Sequence, residues 1–160
     1  MRIPSSRTTI LADALLLLAF LLIVVGFGAY IGLNTLPGDW HARLEKPSFY
    51  PPNETFEPVW FSLYVIIGFA GWRIAKVEPD GAAMKMWFAQ MILNWLWAPV
   101  WFNLHLMWVA LAIVSVLLVL IFGFISTAWK PSKLAALLFA PYAAWVAFSM
   151  ALNLSIAVLN

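Results

Sequence analysis

Five apolar stretches, each close to the length that carries an α-helix across a bilayer, govern what this chain can fold into. They run over residues 10–33, 56–76, 82–102, 106–128 and 134–158, and a spanning helix needs roughly 20 residues. Of the 160 residues, 64% are hydrophobic and 10% charged. Soluble domains average about 45–50% apolar and about 25% charged residues, so runs of this kind have no water-soluble globule to hide in. The expected fold is an all-α integral membrane protein, a single domain over residues 1–160 built as a bundle of five transmembrane helices. Arg2 and Arg7 ahead of the first run mimic a signal peptide. That run exceeds the 7–15 residues of a signal core and lacks a clear cleavage site, so it is kept as a helix.

An odd number of crossings puts the termini on opposite sides. Arg2, Arg7, Arg73, Lys76, Lys85, Lys130 and Lys133 then share one side, while only Arg43 and Lys46 lie on the other. Lys and Arg favour the cytoplasmic side, so the N-terminus is expected there. Most connections are short. The exception is residues 34–55, with Pro37, Pro47, Pro51 and Pro52. This loop carries Trp40, Phe49 and Tyr50, whereas disordered tracts are poor in aromatics, so an ordered lid over one end of the bundle is expected.

Within the third run, "LNWLWAPVWF" (residues 93–102) contains three tryptophans, an asparagine and a proline. Gln90, Asn94, Trp97 and Trp101 fall at spacings of 4, 3 and 4, which puts them on one helix face. Tyr142, Trp145, Ser149 and Asn153 do the same in the fifth run. Trp60 and Tyr64 begin a similar stripe in the second, continued by Gly68 and Gly71. Polar groups turn away from lipid, so the three stripes are expected to converge. Two readings remain open: they glue helices together, or they line an aromatic pocket with a few orienting amides. Bulky indoles favour the pocket, because tight membrane packing uses Gly, Ala, Ser and Thr. Pro99 and Pro141 either splay helices around a cavity or serve packing alone. Gly28 and Gly32 stand in GxxxG spacing, a mark of close helix contact within a bundle or between subunits.

Conventional catalytic sets are missing. There is no cysteine, which excludes disulfides, iron–sulfur clusters and thiol catalysis. His41 and His105 read as polar loop residues, and no metal site is expected. Asp13 is the one acid well inside a span, and an isolated residue near an interface is a weak sign of a proton relay. No basic run suggests nucleic acid.

Four ordered motifs carry a family resemblance: Trp40 with KPS and PP (Lys46–Ser48, Pro51, Pro52); Pro58, Trp60 and Tyr64; Gln90 through Phe102; and Pro141 through Asn153. "GAY" at residues 28–30 fits as well. Over roughly residues 26–154 the chain resembles the TspO/MBR family, the tryptophan-rich sensory and translocator proteins. The resemblance implies a five-helix bundle, often a homodimer, with one pocket beneath the first loop. Ligands of that family are porphyrins such as protoporphyrin IX and haem, isoquinoline carboxamides and, in animals, cholesterol. Carried over, Trp60 and Trp145 match tryptophans linked to light-dependent porphyrin breakdown, and would be catalytic only in an enzyme. Asn94 with Trp60 matches donors to a ligand carbonyl. Ala29, Tyr64, Trp97, Phe102, Tyr142, Ser149, Leu152 and Asn153 match other pocket positions.

The chain departs from the pattern in two places. Phe49 and Glu54 stand where many members have Trp, and the sequence after Asn153 lacks the Tyr and basic residue of the cholesterol motif, which points to a bacterial member. Three functions follow: a sensor or translocator binding porphyrin as ligand rather than fixed cofactor, a photo-oxidative porphyrin-degrading enzyme, or a structural subunit acting through a membrane partner. The expected ligand-binding wall comprises Ala29, Trp40, Phe49, Trp60, Tyr64, Gln90, Asn94, Trp97, Trp101, Phe102, Tyr142, Trp145, Ser149, Leu152 and Asn153.

Overall fold

A computed structural model of the chain describes residues 7–160, with side chains from residue 9 onward. Arg2 lies outside the described residues. Every regular element among those described is helical. Helix α1 (Arg7–Leu21) passes through a π-helical turn at Leu22–Gly26 into α2 (Phe27–Asn34), making one rod. A short α3 (Asp39–Arg43) and a 3₁₀ turn (Asn53–Thr55) interrupt the long loop. Then follow α4 (Phe56–Val77), α5 (Ala82–Ala98), α6 (Met107–Ala128) and α7 (Lys133–Leu159).

Four helical segments among the described residues are long and apolar enough to cross a bilayer: Thr9–Asn34, Asn53–Val77, Met107–Ala128 and Lys133–Leu159. The remaining expected crossing, 82–102, is α-helical over 17 residues and then becomes a π-helical turn at Pro99–Asn103. Proline explains the change. Pro99 has no N–H, and its ring crowds the preceding turn; the ladder widens, with Leu104 N–H donating to the Pro99 carbonyl at 3.1 Å. His105, at φ 58°, reverses the chain into α6, and the left-handed region tolerates His better than most non-glycine residues. Pro141, by contrast, sits on the exposed side of an unbroken α7.

The helices close a ring. The α1–α2 rod packs on α4, α4 on α7, α7 on α6, α6 on α5, and α5 returns to α2. Outward faces are apolar: Leu22 is 62% and Val119 69% exposed, a cost in water that vanishes where lipid is the solvent. Inside, Trp87, Phe124, Phe139, Tyr142, Ile67 and Met91 are fully buried.

The glycines work one by one. The space that a Cβ at Gly71 would take is occupied 2.5 Å away by the Trp87 ring, and a Cβ at Gly68 would meet Leu21 Cδ2 at 3.1 Å. These two residues therefore admit α5 and α1 respectively, rather than continuing the Trp60–Tyr64 stripe. The GxxxG pair also divides: Gly28 lies under the Tyr64 ring, while Gly32 meets nothing within 4 Å.

Residues 34–55 fold onto one end of the bundle. Trp40, Leu44 and Tyr50 pack against Val100, Trp101, Ala110 and Ile156. The Asn160 side chain accepts from Glu45 N–H at 3.0 Å and donates to its carbonyl at 3.1 Å. Asn103 Nδ2 donates to the Asn34 carbonyl at 3.2 Å.

Candidate functional site

The helical stripes meet at the bundle axis. Tyr64 on α4 donates its hydroxyl to Asn94 Oδ1 at 3.2 Å, and Asn94 Nδ2 donates to the Tyr142 hydroxyl on α7 at 2.8 Å. Tyr142 in turn donates to Gln90 Oε1 at 2.9 Å, and Gln90 Nε2 donates to the Trp87 carbonyl at 3.0 Å. Three helices are thus tied by one chain of hydrogen bonds, with Gln90 and Tyr142 fully buried. One turn nearer the loop, Trp97 Nε1 donates to Asn153 Oδ1 at 2.9 Å, and Asn153 Nδ2 reaches the Met107 carbonyl at 3.3 Å.

Between these layers lies a hollow lined by Trp60, Asn94, Trp97, Val114, Leu117, Val146 and Ser149, with a volume of about 10 Å³. That holds about one water molecule, whereas ligand pockets run to roughly 300–1,000 Å³. In this conformation that hollow is therefore too small for a flat guest. Its walls fill it: Trp60 sits 5.5 Å from Tyr64 and 6.4 Å from Tyr142 between ring centroids, and Trp97 stacks on Trp101 at 6.2 Å. The amides expected to orient a ligand are satisfied within the bundle by tyrosine hydroxyls, the Trp97 indole and backbone carbonyls.

A second aromatic group lies under the loop. Trp40 stacks on His105 at 4.1 Å and meets Trp101 edge-on at 5.9 Å. Phe102 meets the His41 ring at 5.3 Å. Trp145 contacts Phe56 and Phe148, and its buried Nε1 has no acceptor among the described residues. Leu152 is buried. Two expected wall residues are not gathered in. Ala29 lies on the exposed side of α2, and Phe49 is 48% exposed with its edge on Phe148. Trp95, off the α5 stripe, packs edge-on against Phe27 at 4.6 Å.

Several participants escaped the sequence. Val114 and Leu117 of α6 line the hollow although that helix carries no polar stripe; leucine and valine give no sign of which face looks inward. His41 is not a solvated loop residue: it is 5% exposed, its Nε2 pairs with the Tyr50 hydroxyl at 3.0 Å, and its Nδ1 has no partner among the described residues. Burial, with Lys46 nearby as the lesser cause, pushes its pKa down to about 4 from the usual 6.5. Between those values the unfolded chain binds a proton that the folded one does not, so stability falls as pH drops from about 6.5 toward 4 and levels off below. Thermal unfolding at pH 7.5 and pH 5 should show that loss in the wild type and a smaller one in His41→Phe; equal losses would assign the effect elsewhere.

The TspO/MBR family profile matches residues 16–159. The chain is 34% identical over 148 residues to the tryptophan-rich sensory protein of Cereibacter sphaeroides, covering 92% of this chain and 93% of that one. It is 31% identical over 128 residues to protein CrtK of Rhodobacter capsulatus, covering 78% and 80%. It is 36% identical over 137 residues to the translocator protein of Homo sapiens, covering 79% of each.

Proposed function

The chain belongs to the TspO/MBR family, and on that premise we propose that this multi-pass membrane protein is a sensor or translocator that opens its loop end to admit flat, apolar tetrapyrroles. The observation that carries the reading is Trp145. A buried indole N–H without an acceptor costs about 1–3 kcal/mol, and the Trp145 Nε1 has none among the described residues. It belongs to the same α7 face as Ser149, which borders the small hollow. A porphyrin carboxylate or ligand carbonyl would supply the acceptor, and Trp60, Trp97 and Trp101 would offer ring faces to the macrocycle.

Entry requires movement, since about 10 Å³ admits no macrocycle. The loop is the movable part: residues 34–55 act as a lid held by the Asn160 amide pair and the Trp40–His105 stack. α5 with its π-helical turn serves as the fifth crossing, the N-terminal end faces the cytoplasm by the Lys and Arg distribution, and the lid faces outward. Two copies pair as a homodimer.

A chain free of cysteine allows a direct test. In Glu45→Cys/Asn160→Cys, a disulfide or short bismaleimide bridge should abolish the quenching of tryptophan fluorescence by protoporphyrin IX, and reduction of the disulfide should restore it. Equal quenching with the lid bridged would remove the entry route. Absence of quenching in the unmodified protein would remove the ligand itself.

A further inference from the structure

At the end of the bundle away from the lid, α1 and α4 are joined by a polar cluster unconnected to the aromatic core. Asp13, on the first crossing, accepts from Trp72 Nε1 at 3.1 Å on Oδ1 and from Lys76 Nζ at 2.5 Å on Oδ2. The Lys76 ammonium also lies 4.8 Å from the centre of the Trp72 ring, and the Arg73 guanidinium 5.9 Å from it. An open groove of about 500 Å³ runs beside this cluster, lined by Thr9, Ile10, Ala12, Asp13, Leu16 and Lys76. Its polar rim and apolar floor are the two halves of an amphiphile's complement.

From this juxtaposition we propose that the α1–α4 groove is a binding site for an anionic diacyl glycerophospholipid, with the phosphate on Lys76 and an acyl chain along Ile10 and Leu16. An ammonium has three donors, and Asp13 takes one, so Lys76 has two left for phosphate oxygens. Asp13 positions the ammonium. At 35% exposure its side chain reaches the groove rim, and that of Lys76 is 36% exposed. Ile10 at 57% and Leu16 at 39% present apolar surface where the chain would lie.

Charge selects the headgroup. Asp13 neutralises one of the two cations on this edge and leaves the Arg73 charge over. Among the described residues this end is basic: five Lys and Arg against three acids, where the lid end has two against four. A zwitterionic choline headgroup gains nothing from that excess, whereas a monoanionic phosphodiester does, at about a factor of five in affinity per basic residue near the surface. The proposal is independent of the tetrapyrrole reading.

The test follows thermal unfolding of the full chain in mixed micelles containing phosphatidylglycerol, phosphatidylcholine or soluble glycerol phosphate. Phosphatidylglycerol should raise the midpoint in a saturable way, while phosphatidylcholine and glycerol phosphate should not. Lys76→Gln should need roughly fivefold more phosphatidylglycerol, and Lys76→Arg should recover most of the affinity. Leu16→Trp fills the apolar floor without touching the ion pair, and should remove the response while keeping the lipid-free midpoint. A shift by glycerol phosphate alone would replace the lipid with a free phosphate ligand. Equal shifts by both lipids, or wild-type titrations in both Lys76→Gln and Leu16→Trp, would overturn the assignment.

Discussion

Gly71→Ala should lower the unfolding free energy by about 2 kcal/mol, although alanine is the better helix former. The new Cβ would lie 2.5 Å from Trp87 Cε2, closer than carbon atoms approach. The indole has nowhere to go. Its Nε1 donates to the Ile67 carbonyl at 3.0 Å, and Phe20 and Phe88 each meet it edge-on at 5.1 Å. Overpacking of this kind costs typically 1–3 kcal/mol, and a neighbour this fixed puts the cost near the top of that range. Removing a mid-helix glycine returns about 1 kcal/mol, which leaves the stated net loss. Gly32→Ala is the matched control, since nothing lies within 4 Å of its Cβ. It should be neutral or slightly stabilising. Thermal unfolding in detergent compares the two, and equal midpoints would show that the close approach of α5 to α4 does not depend on a glycine at position 71.

Asn94→Leu is the second large effect, and it touches stability and ligand together. Asn94 is 4% exposed and links α4 to α7 through Tyr64 and Tyr142. Leucine has similar bulk and no polar atom, so the Tyr64 hydroxyl loses its acceptor and Tyr142 loses one of two partners. A stranded buried hydroxyl costs about 1–3 kcal/mol, but hydrogen bonds inside bilayers average about 0.6 kcal/mol, so a loss of about 1 kcal/mol is expected. Asn94 also borders the hollow. The family resemblance implies a hydrogen bond from Asn94 to a ligand carbonyl, and on that reading its loss should weaken protoporphyrin binding roughly tenfold. A lower midpoint with unchanged porphyrin quenching would leave Asn94 a helix tie and nothing more. An unchanged midpoint would mean the hydrogen-bond chain does not hold the helices.

Much of the architecture was legible because a bilayer leaves few options. The apolar runs at 56–76 and 106–128 become α4 and α6 with ends displaced by a residue, and the i, i+4 stripes of α4, α5 and α7 do face one another at Tyr64, Asn94 and Tyr142. Helical periodicity assigns faces, and intolerance of lipid for amides assigns those faces inward. The same reasoning fails where a residue's partner is distant in the chain. Asp13 read as isolated because Trp72 and Lys76 are some sixty positions away. His41 read as solvated because a loop segment says nothing about the Trp101 and Phe102 rings above which it settles.

From its amino acids alone, this chain was committed to helices in a membrane, to an inward gathering of indoles and amides, and to family membership. The size of the space they enclose was decided by tertiary structure. Periodicity sets the direction of a side chain, but volume depends on how closely helices approach. Here Gly28, Gly68 and Gly71 allow close approach around Tyr64, Leu21 and Trp87, and the aromatic wall closes to about the room of a single water.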